Sequence, residues 1–188
     1  LRVFLKKNNP TVYLTEKMED EINLIIDNTI YLTKDTEIED LLVRPIKTSH
    51  DAEDSQGYVF VSNNKSLMYM TDTGYINVKN YKKLKDHDMY ILESNHDIEM
   101  LMNGPYPYHL KQRILGDKGH LSNKDSAYYL SKFTTDKTKK VILAHLSEHN
   151  NNPDKALEAF YKAYEKAGKK APKVEVALQK ERTEVVTI

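Results

Sequence analysis

The sequence predicts an α/β fold, a single sheet layer covered by helices, and three observations carry that prediction. Short apolar runs such as Tyr58–Ser62, Met89–Leu92 and Val141–Ala144 alternate with segments of helical spacing. Turn residues punctuate the boundaries, as in Asn63-Asn64, Asn103-Gly104-Pro105 and Asn152-Pro153. Several apolar runs also end in His or Asp beside hydroxyl residues, which is where α/β folds expose chemistry. The chain of 188 residues suffices for one domain with a sizeable core, and 30% charged against 39% hydrophobic residues is globular rather than disordered.

The elements follow in order. Leu1–Lys7 reads as the tail of an amphipathic helix stopped by Asn8-Asn9-Pro10. Thr11–Leu14 is a short β-rich run, and Glu16–Ile26 has helical spacing through Met18, Ile22 and Ile25. Ile30–Leu32 and Leu41–Thr48 read as strands, the second delivering His50 at its end. Tyr58–Ser62 and Ser66–Thr71 flank two Asn that tolerate positive φ, the signature of a hairpin whose second arm ends at Asp72. Helical Val78–Leu84 precedes strand Met89–Leu92, then come helices over 97–102 and Tyr108–Leu115. Asn123 is expected to cap a helix over Lys124–Phe133, and strand Val141–Ala144 delivers His145. Pro153 opens a long helix to Ala167 that Gly168 stops, and Val174–Leu178 reads as an edge strand, with Val185–Ile188 either extending it or lying loose. No internal repeat or linker divides residues 1–188, so one domain is expected.

Composition narrows the function classes. Lys+Arg and Asp+Glu both total 28, so net charge names no partner. Lysines cluster locally, at 79–85, at 111–118 with Arg113, and at 162–173; each run reads either as a phosphate-facing patch or as a solvated face. With no cysteine, disulfides, thiolate metal sites and a Cys nucleophile are excluded. No apolar stretch reaches the ~20 residues of a membrane span, and a soluble cytoplasmic protein is the expectation.

Imidazole and carboxylate with hydroxyl neighbours form a ligand set for zinc, manganese or iron. His50, with Asp51 and Asp54 nearby, is either such a ligand or a surface His in a charged loop. Asp72, between two threonines, is an Asx-turn residue or a carboxylate placed to bridge cations. His145 follows a buried run and is a strand-end His or a ligand. His96 and Asn95 in Glu93-Ser94-Asn95-His96-Asp97 read as a cap or as a phosphate-facing cluster. His120 and Ser122 stand just ahead of a helix start and read either as a capping loop or as a site where partial positive charge favours an anion.

Read together, Ser49-His50-Asp51-Ala52, Thr71-Asp72-Thr73-Gly74-Tyr75, Glu93-Ser94-Asn95-His96-Asp97, Gly104-Pro105-Tyr106-Pro107, Gly119-His120-Leu121-Ser122-Asn123 and His145-Leu146-Ser147 resemble the metallo-β-lactamase superfamily. More narrowly, over about residues 1–167 they look like its YycJ/WalJ (VicX) group of Gram-positive bacteria. The resemblance implies an αββα sandwich with two divalent metal ions, zinc, manganese or iron, at one edge. It implies His50 and His145 as ligands of the two ions and Asp72 as the carboxylate between them. His120 resembles a proton donor to the leaving oxygen, and His96, Asn95, Ser122, Lys111, Arg113 and Lys118 would line the substrate's path. The implied reaction is phosphodiester hydrolysis by a 5′-to-3′ exonuclease on double-stranded DNA. A small-molecule phosphodiesterase and a metal-poor, non-catalytic binding domain are the alternatives.

The family's HxHxDH motif does not occur in the 188 residues. The sequence therefore reads as an N-terminally truncated member, and this chain alone is expected to give little turnover. Its sheet edge is expected to be raw and to drive self-association.

Overall fold

The computed structural model describes residues 2–188 except positions 23 and 25, so Leu1 and Ile25 of the readings above lie outside the described residues. Its centre is a seven-stranded sheet in which neighbours in sequence are neighbours in space. β3 (Thr36–Ile38), β4 (Leu41–Lys47), β5 (Gln56–Ser62) and β6 (Lys65–Met70) pair antiparallel. β7 (Met89–Glu93), β8 (Lys140–Ala144) and β9 (Lys173–Val176) continue the sheet in parallel. Ahead of it, β1 (Val12–Leu14) and β2 (Thr29–Tyr31) form a separate two-stranded parallel sheet.

This topology decides where chemistry can stand. Because β4 and β6 both run antiparallel to β5, they point the same way as β7 and β8. The chain therefore leaves β4, β6, β7 and β8 at one edge of the sheet. His50, Asp72, Glu93 and His145 all lie at or just beyond those four exits.

Alternation along the strands selects the buried face. Val59, Met68, Met70, Tyr90, Leu92, Val141 and Leu143 point to one side and form a core with Leu121, Leu130, Phe133, Ala156, Phe160 and Tyr164. The last six belong to, or immediately precede, α6 (Asn123–Phe133) and α7 (Pro153–Lys166), which pack on each other over the sheet. On the other face Tyr58, Phe60 and Ile91 are half-buried and Tyr69 is exposed. Val3 and Phe4 of α1 (Arg2–Asn8) and Ile30 and Tyr31 of β2 are exposed as well. No helix among the described residues is long and apolar enough to cross a membrane.

Several boundaries differ from those the sequence suggests, each for a local reason. α2 (Glu16–Ile22) stops short of position 26. β3 is too short and polar for period-2 alternation to register. Val78–Leu84 is a 3₁₀ turn over Val78–Asn80 followed by the single-turn helix α3 (Tyr81–Leu84). Asn77 caps that turn by accepting from the Lys79 N–H. Beyond β9 the Ala177 N–H still donates to Leu143 O at 2.9 Å, and residues 178–188 form no strand. At α6 the cap is Ser122, whose hydroxyl accepts from the Asp125 N–H, and Asn123 is the first helical residue with a buried side chain.

The hairpin between β5 and β6 matches its sequence signature. Ser62 pairs with Lys65 across a two-residue loop, and Asn63 and Asn64 adopt φ of 48° and 62°. An L-residue with a branched Cβ is strained there. We expect Asn64→Val to cost about 1–2 kcal/mol in urea denaturation, against a change within about 0.5 kcal/mol for Asn64→Gly.

Candidate metal centre

Glu93 closes β7, a strand buried along most of its length, and its side chain is fully enclosed. A carboxylate there must be saturated with donors to remain charged. Its Oε1 accepts from Nδ1 of both His120 and His145, each at 2.7 Å. Its Oε2 accepts from the Leu121 N–H at 3.0 Å and the Thr73 N–H at 3.2 Å. Burial alone would raise the Glu93 carboxyl, but the two imidazoles and the backbone donors outweigh it and hold the group at about 2. All of the carboxylate's acceptor capacity is then in use. Glu93 lies close enough to Asp72, His120 and His145 to share an ion with them, yet no lone pair is left for one, so its part is to orient the two histidines.

Asp72 faces that pair. Its Oδ1 lies 3.8 Å from His50 Nε2, 3.7 Å from His145 Nε2 and 3.9 Å from His120 Nδ1. The imidazole centroids step around it, 5.1 Å from His50 to His120 and 5.3 Å from His120 to His145. The hydrogen bond to Glu93 raises the His145 pKa, burial opposes the shift, and Asp72 reinforces it. His50 Nδ1 lies 3.1 Å from the Ala52 N–H and 3.3 Å from Asp51 Oδ1. With Nδ1 accepting from the Ala52 N–H, the neutral ring holds its proton on Nε2 and gives it up when a cation binds there beside Asp72. Nε2 of His50, Nε2 of His145 and a carboxylate oxygen form the borderline nitrogen–oxygen set that holds zinc, manganese or iron. The residues present fit a divalent cation.

The backbone is bent to make this set. Asp72 and His145 adopt φ of 54° and 59°, a region that disfavours side chains with a Cβ. The buried Thr73 hydroxyl donates to Tyr75 O at 2.8 Å and accepts from the Ser49 N–H at 3.1 Å, tying the Asp72 turn to the His50 turn. Gly74 lies so close to the carbonyls of Gly116 and Asp117 that a Cβ would collide with them, which keeps the loop before His120 against the Asp72 turn. Asn95 Nδ2 donates to His145 O at 2.9 Å and fixes the last strained residue.

The cleft over these groups encloses about 570 Å³ and is lined by His50, Asp72, Asn95, Arg113, Lys118, His120 and His145, among others. The other residues singled out from sequence stand elsewhere. His96 and Ser122 are buried behind the cleft, joined by a parallel bridge, and Ser122 serves as the α6 cap. Lys111 donates through Nζ to Met102 O at 2.7 Å and Gly104 O at 2.8 Å, closing the end of α4 (Ile98–Asn103). Arg113 lies in the cleft wall but is paired with Asp51 at 2.5 Å. Glu93 escaped the sequence reading, although its position was visible: it ends the apolar run 89–92 as His145 ends 141–144. Tyr106 and His149, with rings edge-to-face at 6.1 Å, form a further part of the cleft wall.

Comparison with known proteins gives a consistent match. Residues 5–146 match the family model described as a beta-lactamase superfamily domain. The protein named exodeoxyribonuclease YycJ of Bacillus anthracis is 36% identical over 175 residues, covering 89% of this chain and 66% of that protein. The protein named exodeoxyribonuclease WalJ of Streptococcus pneumoniae is 43% identical over 112 residues, covering 60% of this chain and 42% of that protein. The chain thus spans two-thirds or less of the length of these relatives. Among solved structures, the metallo-beta-lactamase fold protein YhfI from Bacillus subtilis superposes with a TM-score of 0.64 at 13% identity, over 89% of this chain and 61% of its own.

Glu93→Gln replaces one carboxylate oxygen by an amide donor, which then faces either both imidazole N–H groups or both backbone N–H groups. We expect it to cost about 3 kcal/mol in denaturant unfolding, because it leaves buried donors unmatched. The acid limb carries the same signature. With the ordinary value at 4.5 and the folded value at about 2, the Glu93 contribution is complete above pH 4.5 and is lost as pH falls through 2. The Gln variant should show a shallower loss of stability over that window.

Proposed function

This chain belongs to the β-lactamase superfamily, and from that premise we propose that His50, Asp72 and His145 hold divalent metal in a site that hydrolyses phosphodiester bonds of DNA. One observation carries the reading: Asp72 Oδ1 stands within 3.8 Å of Nε2 of both His50 and His145, and a saturated carboxylate fixes the second ring. Metal bound there would act as a Lewis acid and lower the pKa of a coordinated water. Two ions, of zinc, manganese or iron, are the proposed complement. The 188 residues supply three of the side chains facing them, and no HxHxDH pattern is among the rest.

His120 has a separate role in this reading. Glu93 accepts from the Nδ1 N–H, so Nε2 faces the leaving oxygen, and the imidazolium form of His120 would give it the Nε2 proton and be left as the neutral Nδ1–H ring. Asp72 would contribute its charge through Oδ1, while its Oδ2 accepts from the Thr71 hydroxyl at 2.9 Å. Lys118 lines the cleft with no ion pair among the described residues, which makes it the first candidate for a substrate phosphate. Tyr106, beside His149, offers a ring face against which a terminal base could stack. The names of the two relatives support DNA as substrate and an exonuclease as the class. Polarity from 5′ to 3′ and a preference for duplex are proposed with it. A DNA-acting enzyme works in the compartment that holds DNA, so the cytoplasmic assignment goes with this reading.

The roles separate experimentally. Asp72→Asn should lower both bound metal, read by mass spectrometry, and hydrolysis of DNA by the metal-loaded protein. His120→Ala should keep its metal and slow hydrolysis by roughly 10²–10⁴-fold. Loss of metal from His120→Ala would make His120 a ligand instead, and full metal with full rate would leave it no part in the chemistry. Lys118→Ala should weaken DNA binding and reduce the log–log salt slope by about 1. Hydrolysis of bis(p-nitrophenyl) phosphate without DNA cleavage would favour a small-molecule substrate.

A further inference from the structure

A second cavity, of about 620 Å³, opens between α6 and α7 and shares no lining residue with the metal cleft. At its edge lies His96, which is 1% exposed. Neither ring nitrogen of His96 has a hydrogen-bond partner among the described residues. Its carbonyl accepts from the Asn123 N–H at 2.8 Å. An orphaned buried polar atom costs about 1–3 kcal/mol, and a ring with two of them calls for a partner with both a donor and an acceptor. Burial holds the His96 pKa down at about 4, outweighing the nearby Glu93 charge, so the ring at neutral pH has one donor and one acceptor.

The rest of the cavity narrows the chemistry of that partner. Ala159 and Ala163 fall on one stripe of α7 and, with Ala167 just past its end, form an apolar floor extended by Ile98 and the half-exposed ring of Tyr128. Lys124, Lys155 and Lys166 stand on the rim with no ion pair among the described residues. Of the rim acids, Asp97 caps α4 and Glu158 is paired with Lys162 at 2.6 Å, which leaves Glu99 alone against the lysines. The volume suits one small ligand rather than a duplex. A bare anion would use the lysines and leave His96 and the alanine floor unused. An uncharged apolar ligand would leave the lysines and the ring unmatched.

We propose that this groove is a nucleotide-binding site, with the base on the alanine floor beside Tyr128, its donor–acceptor edge at His96, and its phosphate at Lys124 and Lys155. A flat ring, a donor–acceptor edge and an anion in one molecule match all the groups present. The site is independent of the hydrolytic reading, since it uses none of the residues of the metal cleft. The nucleotide is either free or the end of a strand, because both present the same groups.

Calorimetric titration of the chain with each deoxynucleoside monophosphate, its nucleoside and inorganic phosphate tests this, with ring ¹⁵N spectra of His96 recorded alongside. At least one monophosphate should bind saturably and shift the His96 ring signals, its nucleoside and phosphate each binding at least about tenfold more weakly. Ala163→Leu, which fills the floor, and the pair Lys124→Ala with Lys155→Ala should each weaken binding at least about tenfold, while Asp72→Asn leaves it unchanged. Displacement of the monophosphate by a 5′-phosphorylated tetranucleotide would identify a strand end as the ligand, and failure to displace it a free nucleotide; either supports the site. The proposal is overturned if no monophosphate binds, if phosphate binds as well as the nucleotide, or if the His96 signals stay unmoved at saturation, the mark of a trapped water.

Discussion

Glu93 is the constraint on which the site depends. One enclosed carboxylate receives N–H donors from three segments far apart in sequence: Thr73 after β6, His120 and Leu121 ahead of α6, and His145 after β8. A buried charge with unmatched oxygens would cost several kcal/mol, so these segments are held together by the need to satisfy it. The same bonds select which nitrogen each imidazole presents. Structure and chemistry meet in a single group that need not touch substrate.

The sheet makes the convergence possible. A chain order equal to the spatial order, with one antiparallel excursion through β5, brings four strand exits to a common edge. Strained backbone at Asp72 and His145 then turns their side chains toward each other, and the structure holds that strain with bonds from Thr71 and Asn95. Behind the cleft, Asn123 and Asn151 exchange amide hydrogen bonds at 2.8 Å, and Asn151 also donates to Ser94 O and Asn95 O. This buried amide pair fastens the start of α6 to the loop that follows β7, so the histidine loops rest on a rigid base.

Much of this was legible in the sequence because local chemistry and global fold agree there. The Asn63-Asn64 hairpin, the Pro153 helix start and the β7 and β8 runs are short-range signals, and the structure realises them within a residue or two. His50, Asp72 and His145 were legible as strand-end residues. Glu93 was not, because a Glu after an apolar run also reads as a strand simply reaching solvent; only the three-dimensional arrival of His120 and His145 gives it partners. Ser122 and Asn123 show the same limit, since both are good caps and the choice depends on Asn151, 28 residues away. Lys111 and Arg113 looked like phosphate contacts because sequence shows charge but not partners, and here one closes a helix and the other pairs with Asp51.

The tautomers of His120 and His145 bear most directly on this account. Long-range ¹H–¹⁵N correlation of the imidazoles in the metal-free chain, at a pH where both rings are neutral, reports which nitrogen holds the proton. If Glu93 orients both rings, each will carry its proton on Nδ1 and leave Nε2 unprotonated, and Glu93→Ala, which removes the acceptor, will shift at least one ring away from that form. A proton on Nε2 of either ring in the unmodified chain would contradict it.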